Sequence, residues 1–274
     1  MMSVLSIKGL SKSFGTNKVI DNISFDVPEG SVFGFIGANG AGKTTTMKMI
    51  LGLLPSDSGE IHVCGEKVSF GETKTNRFIG YLPDVPEFYG YMRPKEYLRL
   101  CGEIVGLDEE SIKSRTSYLL EKVGLADVNK KIKNFSRGMK QRLGVAQALL
   151  NEPKLLICDE PTSALDPIGR KDILDILKDI KGNTTVIFST HILADVERIC
   201  DRLAVLHKSN IVLESAISDL KLERRSRAVE LEFENEIDSQ EVLRVLNEGN
   251  LRPIRCEAQN VEISLESLYL EVIV

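Results

Sequence analysis

The chain has no apolar run near the roughly 18 residues that a membrane-spanning helix requires; its longest, such as Val32 to Ile36 and Leu155 to Cys158, are short. It is therefore not itself a channel. The N-terminus, Met1 to Phe14, alternates apolar and polar residues instead of carrying the continuous apolar core of a secretory signal, so a cytosolic location is expected. Paired cysteines are missing too. Cys64, Cys101, Cys158, Cys200 and Cys256 stand singly, with no CxxC and no close histidine, which leaves neither a disulfide framework nor a zinc site. Cys158, inside an apolar run, reads as a small reduced core residue. Strong basicity is absent as well: the net charge is −5, and no nucleic acid is expected as a partner. No internal repeat or low-complexity tract is visible.

What is present is ordinary globular composition, 42% hydrophobic and 27% charged over 274 residues. At about 150 residues per domain this makes one large domain, or one with a small addition. Val4 to Phe14 and Val19 to Val27 alternate like half-buried strands around a Gly15-Thr16-Asn17 turn. Val32 to Ile36 is a short apolar run, followed by a glycine-rich loop and a helical pattern over Lys43 to Leu53. Further strands are predicted at Glu60 to Val63, Ile79 to Leu82, Leu155 to Cys158, Thr185 to Phe188 and Leu203 to Leu206. Helices are predicted over Pro94 to Val105, Glu109 to Val123, Ser136 to Leu150, Pro167 to Ile180 and Leu193 to Ile199. Strands alternating with helices imply an α/β fold with a mainly parallel sheet. From about Ala216 the pattern changes to a charged stretch and short mixed segments, read as a small α+β appendage over 216–274 beside a main domain over 1–215. The charges at Glu223 to Arg227 read as a solvated linker.

The strongest chemical signal is Gly37-Ala38-Asn39-Gly40-Ala41-Gly42-Lys43-Thr44, the pattern G-x-x-x-x-G-K-[ST] between a predicted strand and a predicted helix. Its glycines let the backbone curl so that successive N–H groups face phosphate oxygens, and the helix start adds its positive dipole end. Lys43 then reaches the β- and γ-phosphates, and the Thr44 hydroxyl ligates Mg²⁺. The second signal is Leu155 to Glu160, a buried strand that delivers two carboxylates to the C-terminal edge of a parallel sheet. Asp159 is expected to hold Mg²⁺, and Glu160 to deprotonate an attacking water. Together they point to nucleoside triphosphate hydrolysis.

Over about Ser3 to Leu213 the sequence resembles the ATP-binding cassette (ABC) ATPases. Their signature motif is matched by Phe135-Ser136-Arg137-Gly138-Met139 with Lys140-Gln141-Arg142, their D-loop by Ser163-Ala164-Leu165-Asp166, and their switch histidine by His191 after Ser189-Thr190. The resemblance implies a P-loop fold with an antiparallel β subdomain and a helical subdomain. It also implies ATP and Mg²⁺ as ligands, adenine stacked on Phe14, and further nucleotide contacts from Thr45, Ser136, Gly138 and Asp166. Where the family usually carries glutamine after a strand, this chain reads Ile79-Gly80-Tyr81-Leu82-Pro83-Asp84. An aspartate can accept a metal but cannot donate a hydrogen bond as the amide does, so Asp84 is a further metal candidate. The acidic residue there, the Ser-x-Gly-Met-Lys-Gln-Arg form of the signature, and the segment Ser264 to Leu270 look like the branch that serves ABC-2 type exporters.

The resemblance further implies a head-to-tail homodimer around two ATP, with each subunit's Ser136 and Gly138 capping the nucleotide bound by the other. It implies separate membrane permease subunits, docked near Asp84 to Met92, and a place on the cytoplasmic face of the membrane. Phe88, Tyr89 and Tyr91 either supply that contact or pack within the helical subdomain. A soluble ABC ATPase of translation or DNA maintenance is the alternative, although such proteins usually carry two cassettes or a long coiled coil. A kinase or GTPase using the P-loop alone leaves Ser136 to Arg142 and His191 unexplained.

Overall fold

The computed structural model describes residues 3–220. Its first strands, β1 (Ser3–Phe14) and β2 (Asn17–Pro28), form an antiparallel hairpin whose turn falls on Gly15 and Thr16. β3 (Val32–Ile36) follows, buried along its whole length, and leads through the glycine-rich loop into α1 (Lys43–Ile50). That helix stops short of the expected Leu53. Gly52 adopts φ +68°, and the N–H groups of Gly52 and Leu53 donate back to Met49 O and Lys48 O, a left-handed terminus that glycine accommodates without strain. β4 (Ser58–Val63) and β5 (Glu66–Lys67) complete a four-stranded antiparallel sheet in the order β2-β1-β4-β5.

The remaining described residues form β6 (Ile79–Leu82), α2 (Pro94–Ile104), α3 (Glu109–Lys122), α4 (Arg137–Leu149), β7 (Leu155–Asp159), α5 (Pro167–Asp179), β8 (Thr185–Thr190), α6 (Leu193–Ile199) and β9 (Arg202–His207), all near the expected positions, and β10 (Asn210–Ala216), a strand not expected from the sequence. The second sheet runs β10-β9-β3-β8-β7-β6. All its neighbours are parallel except β10 on β9. Period-two alternation splits its side chains between two cores. Phe33, Phe35, Leu155, Ile157 and Ile187 pack with the hairpin and with Met47, Met49 and Ile50 of α1. Val32, Ile36, Leu156, Cys158, Val186 and Phe188 pack with the helices of the other face. A mainly parallel sheet with apolar side chains on both faces is stable only when both are covered, each buried Phe or Ile contributing about 1.5–3 kcal/mol.

Strand β6 and helix α4 touch through glycines. A Cβ on Gly80 would stand 2.1 Å from Ala148 O, and one on Gly144 would stand 2.6 Å from Leu82 Cδ1. No rotamer relieves a clash with a backbone oxygen, so the absence of side chains at these positions sets how closely α4 lies on the sheet. On the far side of α4, Tyr97 of α2 donates to Gln147 Oε1 at 3.0 Å, which ties the helical part together.

Ile217 and Leu220, past the end of β10, are buried against the helix-covered core. Residues 221–274 lie outside the described residues, and with them most of the expected 216–274 appendage, the Glu223 to Arg227 charges, Cys256 and Ser264 to Leu270. Among the described residues, Cys64, Cys101, Cys158 and Cys200 are free thiols, and no helix is long and apolar enough to cross a membrane.

Candidate active site

Because β3, β8, β7 and β6 are parallel, the loops after them leave from one edge of the sheet. That edge receives Gly37 to Thr44 after β3, His191 after β8, Asp159 and Glu160 at the end of β7, and Asp84 after β6.

The glycine-rich loop is held by close packing. Gly42 has φ +111°, and a Cβ there would meet Ile20 Cδ1 at 2.6 Å and Val19 O at 3.0 Å; at Gly37 it would meet Leu206 O at 2.8 Å. Ala38, Asn39 and Gly40 are exposed at the tip, while Ala41 and Thr45 are half-buried beside it. Lys43 is 5% exposed, with Nζ donating to Gly37 O at 2.6 Å and to Ala38 O at 3.2 Å. Its ammonium is therefore fixed under the curl of the loop. Thr44 Oγ1 donates to Asp159 Oδ2 at 2.7 Å, which sets a hydroxyl beside a carboxylate, a hard-oxygen pair that suits Mg²⁺.

Glu160 lies between two partners. Its Oε1 is 3.0 Å from Lys43 Nζ, a charge contact without hydrogen-bond geometry, and its Oε2 is 3.0 Å from His191 Nδ1. The residue sits at φ +48°, a left-handed conformation that costs a non-glycine residue energy and marks an over-determined position. Ser189 supplies part of that determination. Its hydroxyl donates to Asp159 Oδ1 at 2.6 Å and accepts from Glu160 N at 3.1 Å. Sequence reasoning did not single out Ser189; its signal was the parallel register that pairs it with Asp159.

Lys43, Thr44, Asp159, Glu160 and His191 are thus brought together. Among the described residues, Phe14, Ser136, Gly138 and Asp166 make no hydrogen bond to that group. Ser136 caps α4 by accepting from Met139 N at 3.3 Å, and Asp166 caps α5 by accepting from Gly169 N at 2.9 Å. Phe14 is 50% exposed at the end of β1, with Lys12 Nζ 5.6 Å from its ring centroid. Asp84 accepts from Arg137 Nη2 at 3.1 Å. Burial pushes its carboxyl above the usual range, Arg137 opposes that, and the nearby Asp159 and Glu160 add to it. Buried Gln141, named in the sequence only as part of the signature match and given no role of its own there, donates from Nε2 to Asp84 O and to Pro161 O, each at 3.1 Å, and so joins α4 to both loops. The aromatic segment divides: Phe88 packs edge-on against Tyr97 at 5.1 Å, whereas Tyr89 and Tyr91 are exposed.

Residues 20–163 match the ABC transporter family model. The chain belongs to the ABC transporter family. ABC proteins with similar sequences include YxlF of Bacillus subtilis (strain 168), an uncharacterized ABC transporter ATP-binding protein, 41% identical over 236 residues, which cover 86% of this chain and 78% of YxlF. The bacitracin transport ATP-binding protein BcrA of Bacillus licheniformis is 38% identical, with 82% of this chain and 74% of BcrA covered. A solved ATP-binding subunit of an ABC transporter superposes with a TM-score of 0.75 at 30% identity, covering 98% of this chain and 99% of its own. The α/β fold expected from the sequence is therefore an ABC ATPase fold, and the chain is an ATP-binding, ATP-hydrolysing ABC transporter subunit.

Proposed function

We propose that this ABC subunit closes head-to-tail with a second copy around two ATP, and that hydrolysis powers export through separate permease subunits at the cytoplasmic face of a membrane. One observation carries the reading: a single sheet edge gathers the P-loop lysine, a Thr44–Asp159 oxygen pair and a Glu160 held between Lys43 and His191. The curl of Gly37 to Thr45 cradles the phosphates, Lys43 balances their charge, and Phe14 offers an exposed ring to adenine. Thr44 and Asp159 would hold Mg²⁺, which would supply charge neutralisation for the triphosphate. Asp84 is instead engaged by Arg137 through Oδ1. Glu160 accepts a proton from the attacking water as the water oxygen bonds to the γ-phosphorus and the bond to the bridging oxygen of ADP breaks. His191, against Glu160 Oε2, orients that carboxylate toward the γ-phosphate.

Among the described residues Ser136, Gly138 and Asp166 make no hydrogen bond to this group, Ser136 and Asp166 capping their own helices instead, which supports their service to a nucleotide on the partner subunit. The start of α4 is exposed, and its N–H groups and dipole favour an anion. A two-fold pair makes two equivalent sites, each lost when the γ-phosphate departs. Exposed Tyr89 and Tyr91 supply contact area for a permease. BcrA serves bacitracin transport, and SrtF of Streptococcus pyogenes, 38% identical over 213 residues, is a lantibiotic transport ATP-binding protein; those names support export of a compound of the bacitracin or lantibiotic kind. Residues 216–274 form an accessory domain to the ATPase.

The test is Glu160→Gln with ATP and Mg²⁺. Loss of a general base lowers turnover by about 10²–10⁴-fold, and the variant should elute as an ATP-dependent dimer on a sizing column. A monomer with normal turnover would refute both the base and the sandwich.

A further inference from the structure

One buried carboxylate has no part in the site described so far. Asp195, in the first turn of α6, is 1% exposed. Both of its oxygens are used: Oδ2 accepts from Thr162 Oγ1 at 2.6 Å, and Oδ1 accepts from Arg170 Nε at 2.5 Å. Thr162, 2% exposed, lies two residues after Glu160. Asp195 itself lies four residues after His191, and Arg170 lies four after Asp166, in the first turns of α5. The three residues therefore stand just behind three different loops of the candidate site. Gln141 Nε2, bonded to Pro161 O, holds the same short segment from α4.

A carboxylate this deep is costly unless every lone pair is met and its charge is opposed, and removing one partner leaves the other stranded. The arrangement fixes relative position: a displacement of α6, of the Glu160 loop or of the start of α5 breaks at least one short bond. Glu160 and Ala164, both non-glycine residues at left-handed φ in this segment, need such support.

We propose that Asp195 is a positioning residue for hydrolysis. Through Thr162 and Arg170 it locks the loops bearing Glu160, His191 and Asp166 into one unit, so that base and histidine keep their register toward the γ-phosphate bound by this subunit while the D-loop carboxylate keeps its place toward the partner's nucleotide. The inference rests on the roles assigned to those residues above. It separates from nucleotide binding, because among the described residues no hydrogen bond or ion pair joins the P-loop to Asp195, Thr162 or Arg170.

The experiment compares Asp195→Asn, Thr162→Val and Thr162→Ser in the full-length protein, reading kcat, KM, affinity for a fluorescent ATP analogue and thermal midpoint. Misplacement of reacting groups by about 1 Å costs on the order of 100-fold in rate. Asp195→Asn and Thr162→Val should therefore lose roughly 10- to 100-fold in kcat with analogue affinity kept within about twofold. Thr162→Ser, which keeps the hydroxyl, should recover kcat to within about threefold of the parent. Should Asp195→Asn fail to fold, the Thr162 pair carries the comparison. A folded Asp195→Asn or Thr162→Val with parental kcat overturns the proposal. So does a parallel fall of kcat and analogue affinity, or a serine variant as slow as the valine one. A parent protein that binds ATP but releases no phosphate would instead refute the hydrolytic roles themselves.

Discussion

Replacing Gly138 with alanine separates what this subunit needs to fold from what it needs to meet its partner. Gly138 is the second residue of α4. A Cβ built there finds only Leu165 Cδ2, at 4.0 Å, an ordinary contact, and its backbone is not left-handed. Among the described residues, nothing demands glycine at this position. Alanine in a helix is favoured over glycine by about 0.5–1 kcal/mol, so Gly138→Ala should leave the urea midpoint unchanged or raise it. In the closed dimer the same methyl would enter the space where the α4 N–H groups approach the partner's γ-phosphate. Losing a hydrogen bond to a charged group costs about 1.5–3 kcal/mol, a factor of roughly 10–150. Urea unfolding followed by circular dichroism reads the first quantity. Light scattering of the ATP-bound dimer in a Glu160→Gln background reads the second. Unfolding that is easier by more than about 1 kcal/mol would refute the packing argument, and undiminished dimerisation with parental turnover would refute the placement of Gly138 at the partner's nucleotide.

Lys43→Ala removes the ammonium fixed beneath the P-loop, and equilibrium binding should show ATP affinity reduced by about tenfold or more, in line with loss of a charge-assisted contact. Gly80→Ala drives a methyl into Ala148 O and should lower unfolding free energy by about 1–3 kcal/mol in a urea titration, the usual cost of overpacking. Asp84→Asn breaks a half-exposed pair with Arg137 worth about 0.2–1 kcal/mol. The Mg²⁺ concentration for half-maximal turnover should stay within about twofold, and a tenfold rise would put Asp84 at the metal instead.

Much of the scaffold was readable because the chemistry of its boundaries is local. Val32–Ile36, Ile79–Leu82 and Leu193–Ile199 fall at the predicted residues, each an apolar or periodic run set off by glycine, proline or a polar turn. Ser136, Asp108 and Asp166 announce their helices by capping them. The end of α1 was placed late because Leu51 and Leu53 extend the apolar pattern past the glycine that turns the chain. β5 is too short to show a period, and β10 alternates half-buried with exposed residues, as an edge strand does. At the site, the loop and the two carboxylates carry their meaning in adjacent residues. Ser189, Gln141 and Asp195 do not, since a serine, a glutamine and an aspartate gain their roles only when β8, α4 and α6 are packed around β7.

The bare contact between Gly80 and Ala148 has a mechanical consequence. With backbone against backbone there is no side chain to flex, so β6 cannot shift without carrying α4 along. A partner pressing on the exposed tyrosines beyond Asp84 would be pushing, through a joint with almost no play, on the helix whose tip bears Ser136.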